Sequence, residues 1–209
     1  MENNARKAGF TVIELMMAMA FLTFILIFVV VATVQVLQAY NKGLTMKSVN
    51  QSSRSILDQL SRDISISSKP KLYRDGNEGR LCTETASYVW NTIYAPLPPN
   101  SSRNNYAGGN PAIYLVRSSD PSLCNAAKTN QPDIASSGSS ELLSPLVGVN
   151  DLNLTQVAGT TKLYQLDLSL GTPDPSGYES AGVCFSDIVR GEFCASAKFS
   201  TVLYLPKGQ

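Results

Sequence analysis

The stretch Leu15–Val34 reads LMMAMAFLTFILIFVVVATV, and no charged residue interrupts it. As a helix, this run covers the roughly 30 Å of hydrocarbon that a membrane-spanning segment must cross. The apolar part of a secretory signal peptide is shorter and ends in a small-residue cleavage site, which is missing here before Gln35. We therefore expect a retained single transmembrane helix. Arg6 and Lys7 precede it, which predicts a cytoplasmic N-terminus and an extracytoplasmic chain after about Gln35.

The composition limits the possible functions of the remaining chain. The protein has 209 residues, which is enough for one domain beside the membrane segment. Its net charge of +1 and its 16% of charged residues give no basic surface, so we expect no nucleic-acid site. Histidine is absent, which removes mechanisms that use an imidazole base and the usual zinc ligand sets. We expect no enzymatic activity, no small-molecule substrate, and no metal or other cofactor.

The chain contains four cysteines, Cys82, Cys124, Cys184 and Cys194. An even number of cysteines in an exported domain favours disulfides over free thiols. Three pairings are possible, and we favour Cys82–Cys124 with Cys184–Cys194 because neighbours in sequence close the smaller loops. Four buried free thiols remain the alternative.

The helical pattern continues beyond the membrane segment. Between Gln35 and Ser68 there is no proline, and Gly43 is the only glycine. Apolar residues recur there at steps of seven and four and form one stripe, comprising Val49, Ile56, Leu60 and Ile64 with Leu57 beside it. Polar residues fill the other face: Gln51, Arg54, Asp58, Arg62 and Asp63. Because Pro70 disfavours further helix, we expect one helix from about Phe10 to Ser68, with a hinge at Gly43 as the alternative.

After Pro70 the sequence changes to short β-type segments. Lys162–Leu170 alternates and places Tyr164, Leu166, Leu168 and Leu170 on one face, which predicts a half-buried strand. Further predicted strands, rich in aromatic and β-branched residues, are Tyr88–Tyr94, Ala112–Val116 and Phe199–Leu205. Pro96–Pro111 and Asn125–Ser140 are predicted loops. One helix followed by strands predicts an α+β fold, with the long N-terminal helix packed on an antiparallel β-sheet.

Glu14 is the one acidic residue next to the apolar run, four residues after Phe10. A carboxylate in the middle of a membrane costs about 2.5–3.5 kcal/mol on insertion scales, and less near the interface. Its presence there suggests a partner that compensates the charge. The alternative is an interfacial glutamate whose side chain reaches toward water.

The segment Lys7–Leu15, KAGFTVIEL, resembles the processing site of type IV prepilins: a short polar leader that ends in glycine, then phenylalanine, then glutamate, then an apolar helix. The resemblance implies that residues 1–9 are a leader and that prepilin peptidase cuts between Gly9 and Phe10. It also implies N-methylation of Phe10 and a role for Glu14 in assembly. The mature chain then divides into a transmembrane half-helix (10–34), an amphipathic half-helix (35–69) and a β-rich pilin-like domain (70–209).

The segment Ser53–Ile64 resembles minor pilins and J-type secretion pseudopilins, and Leu146–Leu152 and Phe199–Leu205 resemble minor pilins. The resemblance implies a structural subunit of a type IV pilus-like filament, anchored once in the plasma (inner) membrane before assembly. Its implied partners are other pilin-like subunits, prepilin peptidase, an inner-membrane assembly platform and membrane lipid. The alternative is a membrane-anchored extracytoplasmic binding or enzymatic domain with a retained signal anchor.

Overall fold

The computed structural model describes residues 11–96, 113–124, 138–180, 182–185 and 194–205. Gly9 and Phe10, the predicted processing residues, lie outside this range. The chain divides into two compact units, with the boundary after Asn41. A single long helix precedes the antiparallel β-sheets, which confirms the predicted α+β class.

Helix α1 comprises Val12–Ile66, 55 residues. The predicted limits were Phe10 and Ser68, so both ends agree to within two residues. The residues on both sides of Gly43 are helical, because a glycine lowers helix propensity without removing a backbone donor, as a proline would. The helix ends where the Ser67 amide donates to the Ile64 carbonyl at 3.0 Å, just before Pro70.

The first unit contains the apolar half of α1. Its most apolar window has a mean hydropathy of 2.9, and none of that window is buried within the protein. Two of its threonine hydroxyls bond to the helix itself: Thr23 donates to the Ala20 carbonyl and Thr33 to the Val29 carbonyl, both at 2.8 Å. An exposed apolar helix with internally satisfied polar groups has the properties that a lipid environment requires.

The second unit contains a five-stranded antiparallel sheet in sequential order. Its strands are β1 (Lys71–Asp75), β2 (Glu78–Cys82), β3 (Ser87–Asn91), β4 (Leu115–Ser118) and β5 (Ser139–Glu141). The sequence reading missed β1 and β2, whose residues KLYRD and EGRLC carry charges and a glycine instead of a strong β pattern.

The remaining strands form a second sheet and a short ribbon. They are β6 (Gly148–Gln156), β7 (Leu163–Gly171), β8 (Tyr178–Ser180), β9 (Val183–Cys184) and β10 (Ser196–Tyr204). The order β10-β7-β6 is antiparallel throughout, and β8 pairs with β9. One parallel bridge, Thr92 to Val149, links the end of β3 to β6.

The predicted strands agree with the structure to different degrees. The alternation in Lys162–Leu170 is confirmed as β7, and Leu166, Leu168 and Leu170 are fully buried. The prediction Tyr88–Tyr94 was too long, because β3 ends at Asn91. The Asn91 side chain accepts from the Tyr114 amide at 2.8 Å and donates to the Ala95 carbonyl at 3.0 Å, so the chain turns there.

The other predictions differ at their boundaries. The strand predicted as Ala112–Val116 begins at Leu115, and Ala112 lies outside the described residues. Phe199–Leu205 corresponds to β10, which starts three residues earlier. The loop predicted as Asn125–Ser140 ends in strand β5. Its other residues up to 137 and most of Pro96–Pro111 lie outside the described residues.

The second half of α1 buries one stripe in the main core. As predicted, Val49, Ile56, Leu60 and Ile64 are at most 3% exposed, and Leu57 packs beside them. Their partners come from both sheets and include Trp90, Leu152 and Leu166. Ser53 also lies in this stripe; its hydroxyl donates to the Val49 carbonyl at 2.7 Å, which satisfies it inside the core.

Two disulfides are present, Cys82–Cys124 and Cys184–Cys194, and no cysteine among the four is free. This is the pairing that the sequence favoured. The first bridge ties the end of β2 to the short 3-10 helix Pro121–Cys124. The second joins Cys184 in β9 to Cys194, ten positions later in the sequence.

Gly79 in β2 allows a close contact with Trp90, the single tryptophan of the protein. A Cβ at Gly79 would lie well inside van der Waals contact with three atoms of the buried indole ring. Gly79→Ala should therefore destabilise the protein by about 1–3 kcal/mol, as overpacking does. Denaturant titration of the full chain in detergent, followed by Trp90 fluorescence, measures this loss.

Gly43→Ala is the matched control, since among the described residues a Cβ placed there meets no atom within 4 Å beyond its chain neighbours and the backbone of its own helix. This substitution should leave stability unchanged or raise it by up to about 1 kcal/mol through helix propensity. Equal effects of the two substitutions would contradict the packing role of Gly79.

Candidate assembly site

The start of helix α1 brings Thr11 and Glu14 together. The Thr11 amide and hydroxyl both donate to Glu14 Oε2 at 2.9 Å, and the Glu14 amide donates to Thr11 Oγ1 at 3.3 Å. This reciprocal arrangement is a capping box, in which two backbone amides without helical partners are satisfied by side chains. Glu14 thus stabilises the first turn of its own helix.

The two carboxylate oxygens of Glu14 differ in their surroundings. Both hydrogen bonds to the carboxylate go to Oε2, and within the described residues Oε1 accepts none. The adjacent side chains are apolar and exposed, with Val12 at 78% and Ile13 at 68%. Among the described residues, the site therefore presents one carboxylate oxygen without a hydrogen-bond partner on an apolar surface.

Sequence reasoning found Glu14 but not its capping role. The signal was present, because Thr11-Val12-Ile13-Glu14 fits the T-x-x-E pattern that precedes an apolar helix. Both earlier interpretations of Glu14, an intersubunit partner and an interfacial side chain, ignored this local contact. The capping box does not exclude either, because it uses one oxygen.

A second polar cluster links the C-terminal part of helix α1 to the five-stranded sheet. Asp63 Oδ2 accepts from the Tyr88 hydroxyl at 2.6 Å and from Arg117 Nε at 2.9 Å. The Asp63 and Arg117 side chains are 13% and 28% exposed. The sequence analysis placed Asp63 on the solvent face of the helix. Instead, its carboxylate joins α1 to β3 and β4.

Electrostatics keeps the Tyr88 hydroxyl and the Arg117 guanidinium of this cluster protonated. Burial, followed by the hydrogen bond to Asp63, raises the pKa of the Tyr88 hydroxyl far above its ordinary value. The hydrogen bond to the Asp63 carboxylate likewise raises the pKa of Arg117. Across the physiological range the phenol therefore keeps its proton and donates, and the guanidinium remains charged.

Arg80 is a further polar residue that the sequence did not single out. Its side chain is buried in β2, where Nη1 donates to the Leu123 carbonyl and the guanidinium lies 5.1 Å from the centre of the Tyr73 ring. Leu123 belongs to the same short helix that the Cys82–Cys124 bridge holds. Arg80 and the disulfide thus fix one segment from two sides.

One groove of about 300 Å³ lies between α1 and the segment after β5. Its lining residues are Ser48, Gln51, Ser52, Ser55, Leu142 and Ser144, none of which is acidic, basic or a thiol. The described residues contain no group of three or more potential metal ligands. The expectation of a protein without enzymatic activity remains a prediction.

The predicted site residues that the structure describes belong to two different units. Glu14 is at the start of the first unit, and the four cysteines belong to the second unit. Gly9 and Phe10 lie outside the described residues. The processing junction therefore remains a prediction from the sequence, whereas the contacts of Glu14 are described by the structure.

The Asp63 cluster can be tested by removing one hydroxyl. Tyr88→Phe deletes a hydrogen bond to a carboxylate that is mostly buried, and should lower the free energy of unfolding by about 1–3 kcal/mol. Tyr73→Phe is the control, because within the described residues the Tyr73 hydroxyl has no hydrogen bond and its ring contact with Arg80 would persist. Denaturant midpoints of the full chain in detergent compare the two variants. Similar losses would show that the hydroxyl of Tyr88 contributes nothing specific.

Comparisons with family models, with curated protein sequences and with solved structures return no match. The architecture is therefore described on its own terms. A long N-terminal helix begins with an exposed apolar half, and its second half packs on antiparallel sheets stapled by two disulfides. This arrangement is pilin-like.

Proposed function

We propose that this chain is a structural subunit, of the minor pilin or pseudopilin kind, in a type IV pilus-like filament. The single observation that carries the proposal is the start of α1. There the Gly9-Phe10 junction directly precedes a capped apolar helix, and Glu14 stands ahead of a long run without charge. The pilin-like architecture of the described residues supports the same reading.

Processing between Gly9 and Phe10 by prepilin peptidase is the first step of the proposed function. Glycine before the cut has no side chain, so a protease can approach the backbone closely. Arg6 and Lys7 keep this junction on the cytoplasmic side, where the new Phe10 amine is then methylated. Methylation retains the positive charge of the amine while adding apolar surface.

The charged amine and the free oxygen of Glu14 then provide the assembly contact. Glu14 Oε2 is used within its own chain, whereas Oε1 can accept from the Phe10 amine of an adjacent subunit. In an apolar environment two opposite charges compensate each other, and a lone one is strongly destabilising. The contact therefore selects subunits that have been processed.

Before assembly the subunit is held by α1 in the plasma (inner) membrane, with its β-rich domain outside the cytoplasm. The two disulfides fit an oxidising compartment. The proposed partners are other pilin-like subunits, an inner-membrane assembly platform, prepilin peptidase and lipid. A membrane-anchored binding or enzymatic domain is the competing function, and such a protein would keep its N-terminal residues.

Cleavage at the predicted junction is the direct test of this proposal. Mass spectrometry of the protein from membranes of cells that contain prepilin peptidase should find a chain starting at methylated Phe10. Gly9→Val should block cleavage, because a β-branched side chain hinders approach to the bond, while membrane insertion is retained. A wild-type chain that keeps Met1 would contradict the proposal and favour the competing function.

The role of the Glu14 charge can be separated from its role as a helix cap. Glu14→Gln should keep the cap, since glutamine also functions in a capping box, but removes the charge. Thr11→Ala should weaken the cap but keep the charge. We expect Glu14→Gln and Glu14→Ala to lower incorporation into filaments at least tenfold and Thr11→Ala to leave it within twofold.

The measurement is the amount of subunit in sheared filaments relative to the amount in membranes. Processing between Gly9 and Phe10 is followed in the same samples, so a cleavage defect is not mistaken for an assembly defect. Loss of incorporation in Glu14→Ala and Thr11→Ala, with Glu14→Gln unaffected, would assign Glu14 to helix capping alone. Unchanged incorporation in all three variants would remove Glu14 from assembly.

A further inference from the structure

Strand β10 forms one edge of the three-stranded sheet. It pairs with β7 over nine consecutive residues without a bulge, and no other strand of the described residues pairs with it. An edge strand exposes backbone donors and acceptors that can pair with another strand. β10 is long for an edge strand and contains no proline.

The direction of the free backbone groups follows from two hydrogen bonds. The Leu205 amide donates to the Lys162 carbonyl at 2.8 Å, and the Ala195 carbonyl accepts from the Thr172 amide at 2.9 Å. In an antiparallel ladder these groups alternate, so the odd-numbered residues of β10 face β7. The even-numbered residues direct their N–H and C=O groups to the open edge.

The side chains of those even-numbered residues are also exposed. Lys198 and Ser200 are exposed, and Val202 and Tyr204 are 59% and 57% exposed. Natural edge strands are usually protected by bulges, prolines, short length or several charges. β10 has one charge, Lys198, and the segment Ser200–Tyr204 has none.

We propose that β10 pairs antiparallel with β10 of a second copy of this chain, centred on Thr201. This register places Lys198 opposite Tyr204 of the partner and Ser200 opposite Val202 of the partner. All four are even-numbered residues whose backbone groups face the edge, so these pairs can exchange ladder hydrogen bonds. The two three-stranded sheets would then form one six-stranded sheet.

The side chains of β10 are complementary to themselves in this register. On the outer face, Lys198 of each copy lies opposite the Tyr204 ring of the other copy, which allows a cation–π contact at each end and keeps the two lysines apart. On the core side, Phe199 lies opposite Leu203 of the partner, and Thr201 lies opposite its own copy. Thr–Thr pairs are among the stabilising cross-strand pairs, and the Phe199–Leu203 pair adds apolar surface on the same side. Centring the pair on Lys198 would instead place like charges opposite each other.

This contact goes beyond the proposed function because it does not use α1. A pairing of β10 with itself has twofold symmetry and closes after two copies, whereas a filament needs a repeating, non-closing contact. The proposed interface therefore belongs to a dimer and can be measured independently of processing or filament assembly.

Cysteine cross-linking of the full chain in membranes tests the register. At the centre, the two Thr201 Cα atoms would be a non-hydrogen-bonded pair about 4.5 Å apart, within the span of a disulfide. Thr201→Cys should therefore form a covalent dimer under mild oxidation, seen on a non-reducing gel. The two Ser200 Cα atoms would be about 8 Å apart, too far for a disulfide, so Ser200→Cys should dimerise at least fivefold less.

A second pair of variants tests whether backbone pairing holds the dimer. Val202→Pro, in the Thr201→Cys background, removes an N–H that faces the open edge and no hydrogen bond to β7, so cross-linking should be lost. Val202→Thr keeps that N–H and should keep cross-linking. Resistance of the four native cysteines to alkylation in every variant shows that the fold is retained.

Three outcomes would overturn the proposal. The first is equal cross-linking of Thr201→Cys and Ser200→Cys, which would indicate random collision. The second is cross-linking that survives Val202→Pro. The third is no dimer at all, including the case in which Thr201→Cys cross-links to a different protein, because the edge then accepts a strand other than its own copy.

Discussion

The structure of the second unit depends on the burial of one apolar stripe of helix α1 against its sheets. Leu60 and Ile64 are completely buried there, and they meet side chains from both sheets. Neither sheet could bury its inner face alone, since each is a single layer that needs a second layer against it. Trp90 belongs to the same core cluster as this stripe, and its indole ring lies against Gly79 of β2.

The same helix satisfies several of its polar groups by hydrogen bonds within a few residues of the chain. Thr11 and Glu14 satisfy each other, Thr23 and Thr33 donate to their own backbone, and Ser53 does so inside the protein core. Asp63 differs because its partners, Tyr88 and Arg117, lie on the sheet, so its carboxylate links the helix to the sheet. A buried group that bonds to its own helix does not depend on which strands pack against it. Asp63 does depend on them, because its hydrogen bonds require β3 and β4 beside the helix.

The sequence predicted those features that repeat along the chain. The apolar stripe and strand β7 were found because their periods of about 3.6 and 2 persist over many residues. β1 and β2 were missed because their stability comes from pairing with neighbours and not from their own residues. The contacts of Asp63 with Tyr88 and Arg117 join residues 25 and 54 positions apart, which no local pattern encodes. The capping box of Glu14 was readable from four adjacent residues, and it was overlooked because a charge beside a membrane segment had a more prominent explanation.

The two proposed surfaces follow from different kinds of unsatisfied group, and this difference determines what each can build. At Glu14 the open group is a single charged oxygen on an apolar helix, which requires a cation and accepts one from any neighbour that presents it. At β10 the open groups form a row of alternating donors and acceptors, which requires a strand of matching length and register. A single charge can be repeated from subunit to subunit, because donor and acceptor lie on different patches of each chain. A strand edge that pairs with its own copy has all its free N–H and C=O groups bonded by that one partner, so no further subunit can add there. The proposed helix contact therefore allows growth and the proposed strand contact gives closure, because the geometry of the partner differs.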